Sequence, residues 1–174
     1  GLGATVNASN IIRLSDGSKF EPLIGKPGDG ASPHCAIVDE YHEHQTSDLY
    51  DTMLTGMGAR EQPLQLVIST AGYDVAGPCY YDWLTVQKVL EGTLDDPTHF
   101  GIIYAADPED DWTSEVALLK ANPNAGVSVS LEFLQSQLRD AIGNPRKQGT
   151  FKTKHLNLWV SARDAYINMQ RWAA

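Results

Sequence analysis

Asp39 and Glu40 stand directly after the apolar run Ala36-Ile37-Val38, flanked by Pro33-His34-Cys35 before and Tyr41-His42-Glu43-His44 after. A short apolar run closed by polar groups predicts a buried parallel strand whose carboxyl end opens onto a ligand crevice. Two adjacent carboxylates at that end suit nucleotide hydrolysis. The first can hold Mg²⁺ through the ion's waters. The second can orient and deprotonate the water that attacks the terminal phosphate of ATP. Asp39 and Glu40 therefore read as a Walker B pair. A second apolar run, Leu64-Gln65-Leu66-Val67-Ile68, ends in Ser69-Thr70-Ala71-Gly72. Hydroxyl residues at a strand end can sense a phosphate by hydrogen bonding and pass its loss to a neighbouring hinge.

The elements that must position these groups follow from pattern. Ile11 to Leu14 and Lys19 to Ile24, joined through Asp16-Gly17, predict a hairpin. Gly25 to Ser32 is a loop rich in Gly and Pro. A helix is expected over Asp48 to Gly56, another over Tyr80 to Leu90 with Gly92 past its end, and a third apolar strand over Phe100 to Ala105. Ser130 predicts the cap of a helix from Leu131 to about Ile142, with Leu134, Leu138 and Ala141 on one face and Gly143-Asn144-Pro145 as its stop. Phe151 to Ala162 reads as extended, and Asp164 to Trp172 as helical. Strands alternating with helices argue an α/β fold with a largely parallel sheet. The last fifty or so residues read as a subdomain or connector.

The chain has 174 residues, 42% of them hydrophobic and 20% charged, which is globular composition. That length suits one domain or one and a half. A net charge of -9 argues against a basic footprint over the whole surface and leaves nucleic acid only a local patch. Lys147, Lys152, Lys154 and Arg163 give the C-terminal third such a local bias. The two cysteines, Cys35 and Cys79, read as reduced thiols of a cytosolic protein. No signal-peptide pattern or run of membrane-span length is present, and Asn7-Ala8-Ser9 reads as a chance sequon.

Two other clusters invite chemistry. His34, Cys35, His42 and His44 are zinc-ligand types, but the first two precede the strand and the last two follow it, separated by more than about 10 Å of extended chain. Asp107, Glu109, Asp110 and Asp111 could form a two-metal nuclease site. The alternative is a solvated loop in which Asp110 caps a helix beginning near Trp112.

Taken in order, the segments resemble the large terminase subunit of tailed bacteriophages. The likeness rests on Asp29-Gly30-Ala31-Ser32-Pro33, Ala36 to Glu40, Tyr41-His42-Glu43-His44, Ala59-Arg60-Glu61-Gln62-Pro63-Leu64 and Ser69-Thr70-Ala71-Gly72. It continues through Asp110-Asp111-Trp112, Ala121-Asn122-Pro123-Asn124 and Phe151 to Trp159. The resemblance implies an α/β fold: part of a P-loop (ASCE-type) ATPase sheet with flanking helices, then a small helical linker subdomain. By it, residues 1–112 are the later portion of the ATPase domain, and 113–174 a connector towards a nuclease domain absent from the chain. Asp39 would be the Mg²⁺-associated aspartate and Glu40 the catalytic base. Ser69, Thr70, Ala71 and Gly72 would form the nucleotide-contacting coupling motif, with Arg60 a candidate arginine acting on a neighbour's phosphate. Implied cofactors are ATP and Mg²⁺. Implied partners are double-stranded DNA, the portal protein, the small terminase subunit and further copies in a ring, expected to be a pentamer. The implied place is the host cytoplasm and the procapsid portal, with no membrane.

One departure stands out. No Gly-x-x-x-x-Gly-Lys-Ser/Thr loop is present; Gly25-Lys26-Pro27 lacks the hydroxyl residue, and Pro27 removes an N–H that a phosphate nest would use. The expectation is a middle fragment of a packaging motor, inactive alone. The competing readings are an Mg²⁺-dependent nuclease using Asp39, Glu40 and 107–111, and an inert portal-docking module.

Overall fold

The computed structural model describes residues 3–23 and 30–161. The expected helix at 164–172, Arg163 and most of the 25–32 loop lie outside them. The chain divides into two compact units: Gly1–Ala36 with Asp48–Gln65, and Ile37–Ser47 with Leu66–Ala174.

In the first unit, β1 (Ala4–Val6), β2 (Ile11–Arg13) and β3 (Ser18–Phe20) form an antiparallel meander, with Val6 opposite Ile11 and Arg13 opposite Ser18. The predicted hairpin is therefore present. Its turn is made by Gly17 at φ 72° and by Asp16, whose carboxylate accepts the Ser18 N–H at 3.0 Å. Helix α1 (Asp48–Gly56) packs Leu49 and Met53, with Met57 just beyond it, against Ala36.

β4 (Cys35–Asp39) and β5 (Leu64–Ile68) occupy the two predicted strand positions and pair with each other. β4 is not buried on both faces. Ala36 and Val38 point inward, whereas Cys35, Ile37 and Asp39 are exposed, and β5 alternates likewise. The architecture is mixed α/β with two small sheets, and the three-stranded one is antiparallel.

In the second unit, α2 (Pro78–Leu90) starts two residues before its expected position, because Pro78 fits the first helical turn. It ends in a Schellman turn: Gly92, at φ 71°, donates to Val89 O, and Thr93 donates to Lys88 O. The third strand expected over 100–105 is absent. That segment meets the rest of the unit at Gly101, against Val86, at Tyr104, whose carbonyl accepts from Asn157, and just beyond it at Ala106, whose N–H is bonded to Leu156 O.

Helices α3 (Glu115–Ala121), α4 (Leu131–Gly143) and α5 (Pro145–His155) enclose a core of Ala106, Ala117, Leu118, Leu134, Leu138, Ala141, Phe151 and Leu156. The Ser130 cap and the Leu134/Leu138/Ala141 stripe are as predicted. Two expectations fail here. Asp110 does not cap the helix; Ser114 does, accepting the Ala117 N–H, while Asp111 closes the preceding turn on Thr113. Residues 151–155 are helical rather than extended. Gly149, Phe151 and Thr153 are buried two apart, which mimics a strand, but Asn144 and Pro145 form a helix start as well as a stop.

Candidate active site

β4 delivers Asp39 to the end of its strand, and the chain then turns sharply. Glu40 adopts the left-handed conformation, φ 50° and ψ 45°, and heads a 3₁₀ turn over Tyr41–Glu43. The Asp39 carboxylate accepts the Glu40 N–H at 3.0 Å. A left-handed non-glycine residue costs about 1–2 kcal/mol, so its neighbours must hold the turn in place.

They do so through His42, whose side chain is almost wholly buried. Its backbone N–H donates to Ser69 Oγ at 3.0 Å, and its Nδ1 lies 3.0 Å from the same oxygen and 3.3 Å from Glu40 Oε2. Lys154 Nζ is 2.6 Å from His42 Nε2. Glu43 Oε1 lies 3.1 Å from the same Nε2, so the ring is held at both nitrogens, by Ser69 and Glu40 at Nδ1 and by Lys154 and Glu43 at Nε2. Lys154 also donates to Thr70 Oγ1 at 3.3 Å and lies 3.9 Å from Glu40 Oε2.

The Ser69 hydroxyl is fully used. It donates to Thr70 O at 3.0 Å and lies within reach of the His42 groups and of Cys79 Sγ at 3.6 Å. Burial pushes the Cys79 thiol up, opposed by the Ser69 contact and reinforced by nearby Asp82. A raised thiol is a packing group here, not a nucleophile. Ala71 and Gly72 follow on the other side. Ala71 N–H donates to Asn157 Oδ1 at 2.6 Å, and Asn157 Nδ2 donates to Tyr104 O at 2.9 Å. Gly72 lies close against the His42 ring and Trp159, where even a methyl group would press on His42.

His42, Glu43, Ala71, Gly72, Thr153 and Lys154 help to line a cavity of about 240 Å³. That is below the roughly 300–1,000 Å³ of a small-molecule pocket, and Asp39, Glu40, Ser69 and Thr70 are not among its lining residues.

The structure thus brings Asp39, Glu40, Ser69, Thr70, Ala71 and Gly72 together within the second unit. Arg60 belongs to the first unit, where its Nε and Nη2 both donate to Ser32 O. Pattern reading missed His42 as the hub, Lys154 as its cation and Asn157 as the link to Ala71. A usable signal was Asn157 itself, a polar residue between Leu156 and Leu158.

The C-terminal basic residues are employed locally. Lys147 pairs with Asp140 at 2.8 Å, and Lys152 lies 5.0 Å from the centre of the Trp112 ring. In the acidic run, Lys120 bridges Asp107 and Asp110 at 2.7 Å each and holds Asp110 below the usual carboxylate range. Among the described residues no three His, Cys, Asp or Glu side chains are grouped to hold a metal ion. Asp39 fits an ion bound through water: its carboxylate is exposed and bonded to a single backbone N–H.

Fold and site together give a mixed α/β protein with two small sheets, in which an acid just past a strand end is held through His42 and Lys154 to a hydroxyl-bearing bend on the paired strand. Comparison with known proteins narrows this class. A family model of the terminase large subunit ATPase domain matches residues 12–88, and one of the terminase large subunit endonuclease domain matches residues 93–174. The chain is 52% identical over 172 residues to Protein YmfN of Escherichia coli K12, covering 99% of this chain and 38% of that protein. It is 31% identical over 172 residues to the terminase large subunit of Enterobacteria phage HK97, covering 97% of this chain and 33% of that protein. The crystal structure of the HK97 bacteriophage large terminase superposes with a TM-score of 0.76 at 27% identity, over 90% of this chain and 33% of that one. The chain belongs to the phage terminase large subunit family, whose ATPase and nuclease domains both have counterparts in it. It spans about a third of the length of these relatives. Among the described residues no helix is long and apolar enough to cross a membrane.

Proposed function

We propose that this chain is the hydrolysis and coupling portion of a viral DNA-packaging motor. In the full protein, ATP hydrolysis would drive double-stranded DNA into a procapsid, with a nuclease activity cutting concatemers. Residues 1–112 would hold the later part of a P-loop ATPase domain, of which 12–88 match the ATPase model, and 113–174 would be a connector that itself lies in the stretch matching the endonuclease model. The observation that carries the reading is the joining of Glu40, just past β4, to the Ser69–Gly72 bend through His42 and Lys154.

Glu40 is the general base. Its carboxylate is oriented by His42 Nδ1 and by Lys154, which leaves its other oxygen to take a proton from the attacking water. Asp39 would hold Mg²⁺ through water; the ion supplies charge neutralisation on the phosphates. Thr70 and Lys154 report the terminal phosphate, since Ser69 is already saturated by protein groups. Loss of that phosphate then alters contacts at Ala71 and Gly72. Arg60 acts on a neighbouring copy in the assembled ring only if its bonds to Ser32 O are released. Partners in this reading are DNA, the portal protein, the small terminase subunit and further copies in a pentameric ring, in the host cytoplasm at the portal vertex.

The 174 residues contain no Gly-x-x-x-x-Gly-Lys-Ser/Thr loop, so by themselves they turn over negligible ATP. The decisive test is Glu40→Gln in the full-length protein. Hydrolysis falls by roughly a hundred- to ten-thousandfold, the usual worth of a general base, with nucleotide affinity kept. Wild-type turnover in that variant would exclude Glu40 as the base.

A further inference from the structure

Among the described residues only two that are not glycine have positive φ, Glu40 at 50° and Asn157 at 54°. Both stand at the same site. Strained conformations persist where the surroundings over-determine them, and they cluster at functional positions. Glu40 has a role in the reading above; Asn157 has none.

Asn157 lies two residues beyond α5, and its side-chain amide is used at both ends. Oδ1 accepts the Ala71 N–H at 2.6 Å and Nδ2 donates to Tyr104 O at 2.9 Å. Backbone bonds reinforce the junction: Leu156 O accepts from Ala106 at 3.0 Å, and Val160 N–H donates to Gly72 O at 3.2 Å. The 156–160 segment therefore grips the Ser-Thr-Ala-Gly bend at its third and fourth residues. Leu156, one residue away, is fully buried in the core that α3, α4 and α5 share. The matched ATPase region ends at residue 88 and the matched nuclease region begins at 93. Asn157 thus ties the bend of the first region to the packed helices of the second.

We infer that Asn157 is a positioning residue that transmits movement of the Ser69–Gly72 bend to the α3–α5 helices. This rests on the proposed reading of the bend as the coupling motif. Asn157 contacts no acid of the site. The competing account is conformational: asparagine tolerates the left-handed region better than other side chains. On that account glycine serves as well, since it adopts that region freely.

Asn157→Gly separates the two accounts. In the full-length protein with DNA, the readout is ATP consumed per length of DNA moved, a ratio unaffected by the fraction of protein folded. Asn157→Gly raises that ratio by about fivefold or more, the lower range of site-to-site coupling, while hydrolysis continues. Asn157→Asp keeps the acceptor for Ala71 but loses the donor to Tyr104, and it uncouples as well. In the 174-residue chain, Asn157→Gly speeds amide hydrogen exchange at Ala71 by on the order of tenfold, as expected for loss of one well-made hydrogen bond. A wild-type ratio in Asn157→Gly, or unchanged exchange at Ala71, overturns the inference. Glu40→Gln, measured alongside, tests the functional reading separately, because it stops hydrolysis without altering Ala71 exchange.

Discussion

His155, in the last turn of α5, packs its ring against Phe133 and Phe151, with centroids 6.0 and 5.4 Å away. Burial lowers its pKa from the ordinary 6.5. A histidine held neutral in the folded state binds fewer protons than it does unfolded, so stability rises with pH between the folded value and 6.5. Acidification through that window costs stability; above it the group contributes nothing. Asp82, raised by burial, works the other way, since its folded-state penalty is relieved as pH falls. His155→Gln isolates the first effect. Urea titrations at about pH 7.5 and about pH 5 should show a smaller acid-induced loss in the variant than in the parent chain. Equal losses would mean that the ring protonates freely in the folded protein.

Among the elements, those with strong local chemistry were legible in sequence. The Asp16-Gly17 turn, the β4 and β5 runs, α1, α2 and the capped stripe of α4 all stand close to where pattern placed them. The failures share a cause. The apolar run at 100–105 and the extended reading of 151–155 both need a neighbouring strand that the described residues do not supply. The first segment found no ladder, and the second is a helix whose buried residues happen to alternate. At the site, the acids and the bend were legible because their residue types name their chemistry. His42, Lys154 and Asn157 were not, because their importance comes from contacts across as many as 112 residues of sequence. Glycines sharpen the same contrast for α1. Gly56 and Gly58 look alike in sequence, yet a side chain at Gly56 would collide with the Ala31 carbonyl, whereas Gly58 faces open space. Gly56→Ala should destabilise by roughly 1–3 kcal/mol through overpacking. Gly58→Ala should instead stabilise by about 0.4–1 kcal/mol by restricting the unfolded chain. Denaturant midpoints moving in the same direction for both would refute the close approach at Ala31.

Over the whole molecule, surface chemistry is at odds with net charge. The protein carries -9, which favours solubility, yet large apolar side chains stand open along its strands. Ile37 is 51% exposed, Leu64 57%, Ile68 52%, and Phe100 in the extended segment 88%. Isolated exposed apolar residues are ordinary, but alternate exposure along β5 (Leu64, Leu66 and Ile68) makes a continuous apolar face on a short sheet. Charge repulsion is screened within about 8 Å at physiological salt, whereas buried apolar area yields roughly 25 cal/mol per Å². Salt should therefore tip the balance towards self-association. Sedimentation velocity of the 174-residue chain should show mass increasing with concentration, and more steeply as salt is raised. The double variant Leu64→Lys with Leu66→Lys should stay monomeric further up the concentration series, with folding stability within about 1 kcal/mol of the parent, since each exposed position contributes about 0.5 kcal/mol at most. A parent chain that remains monomeric at high salt would show that this face does not drive association.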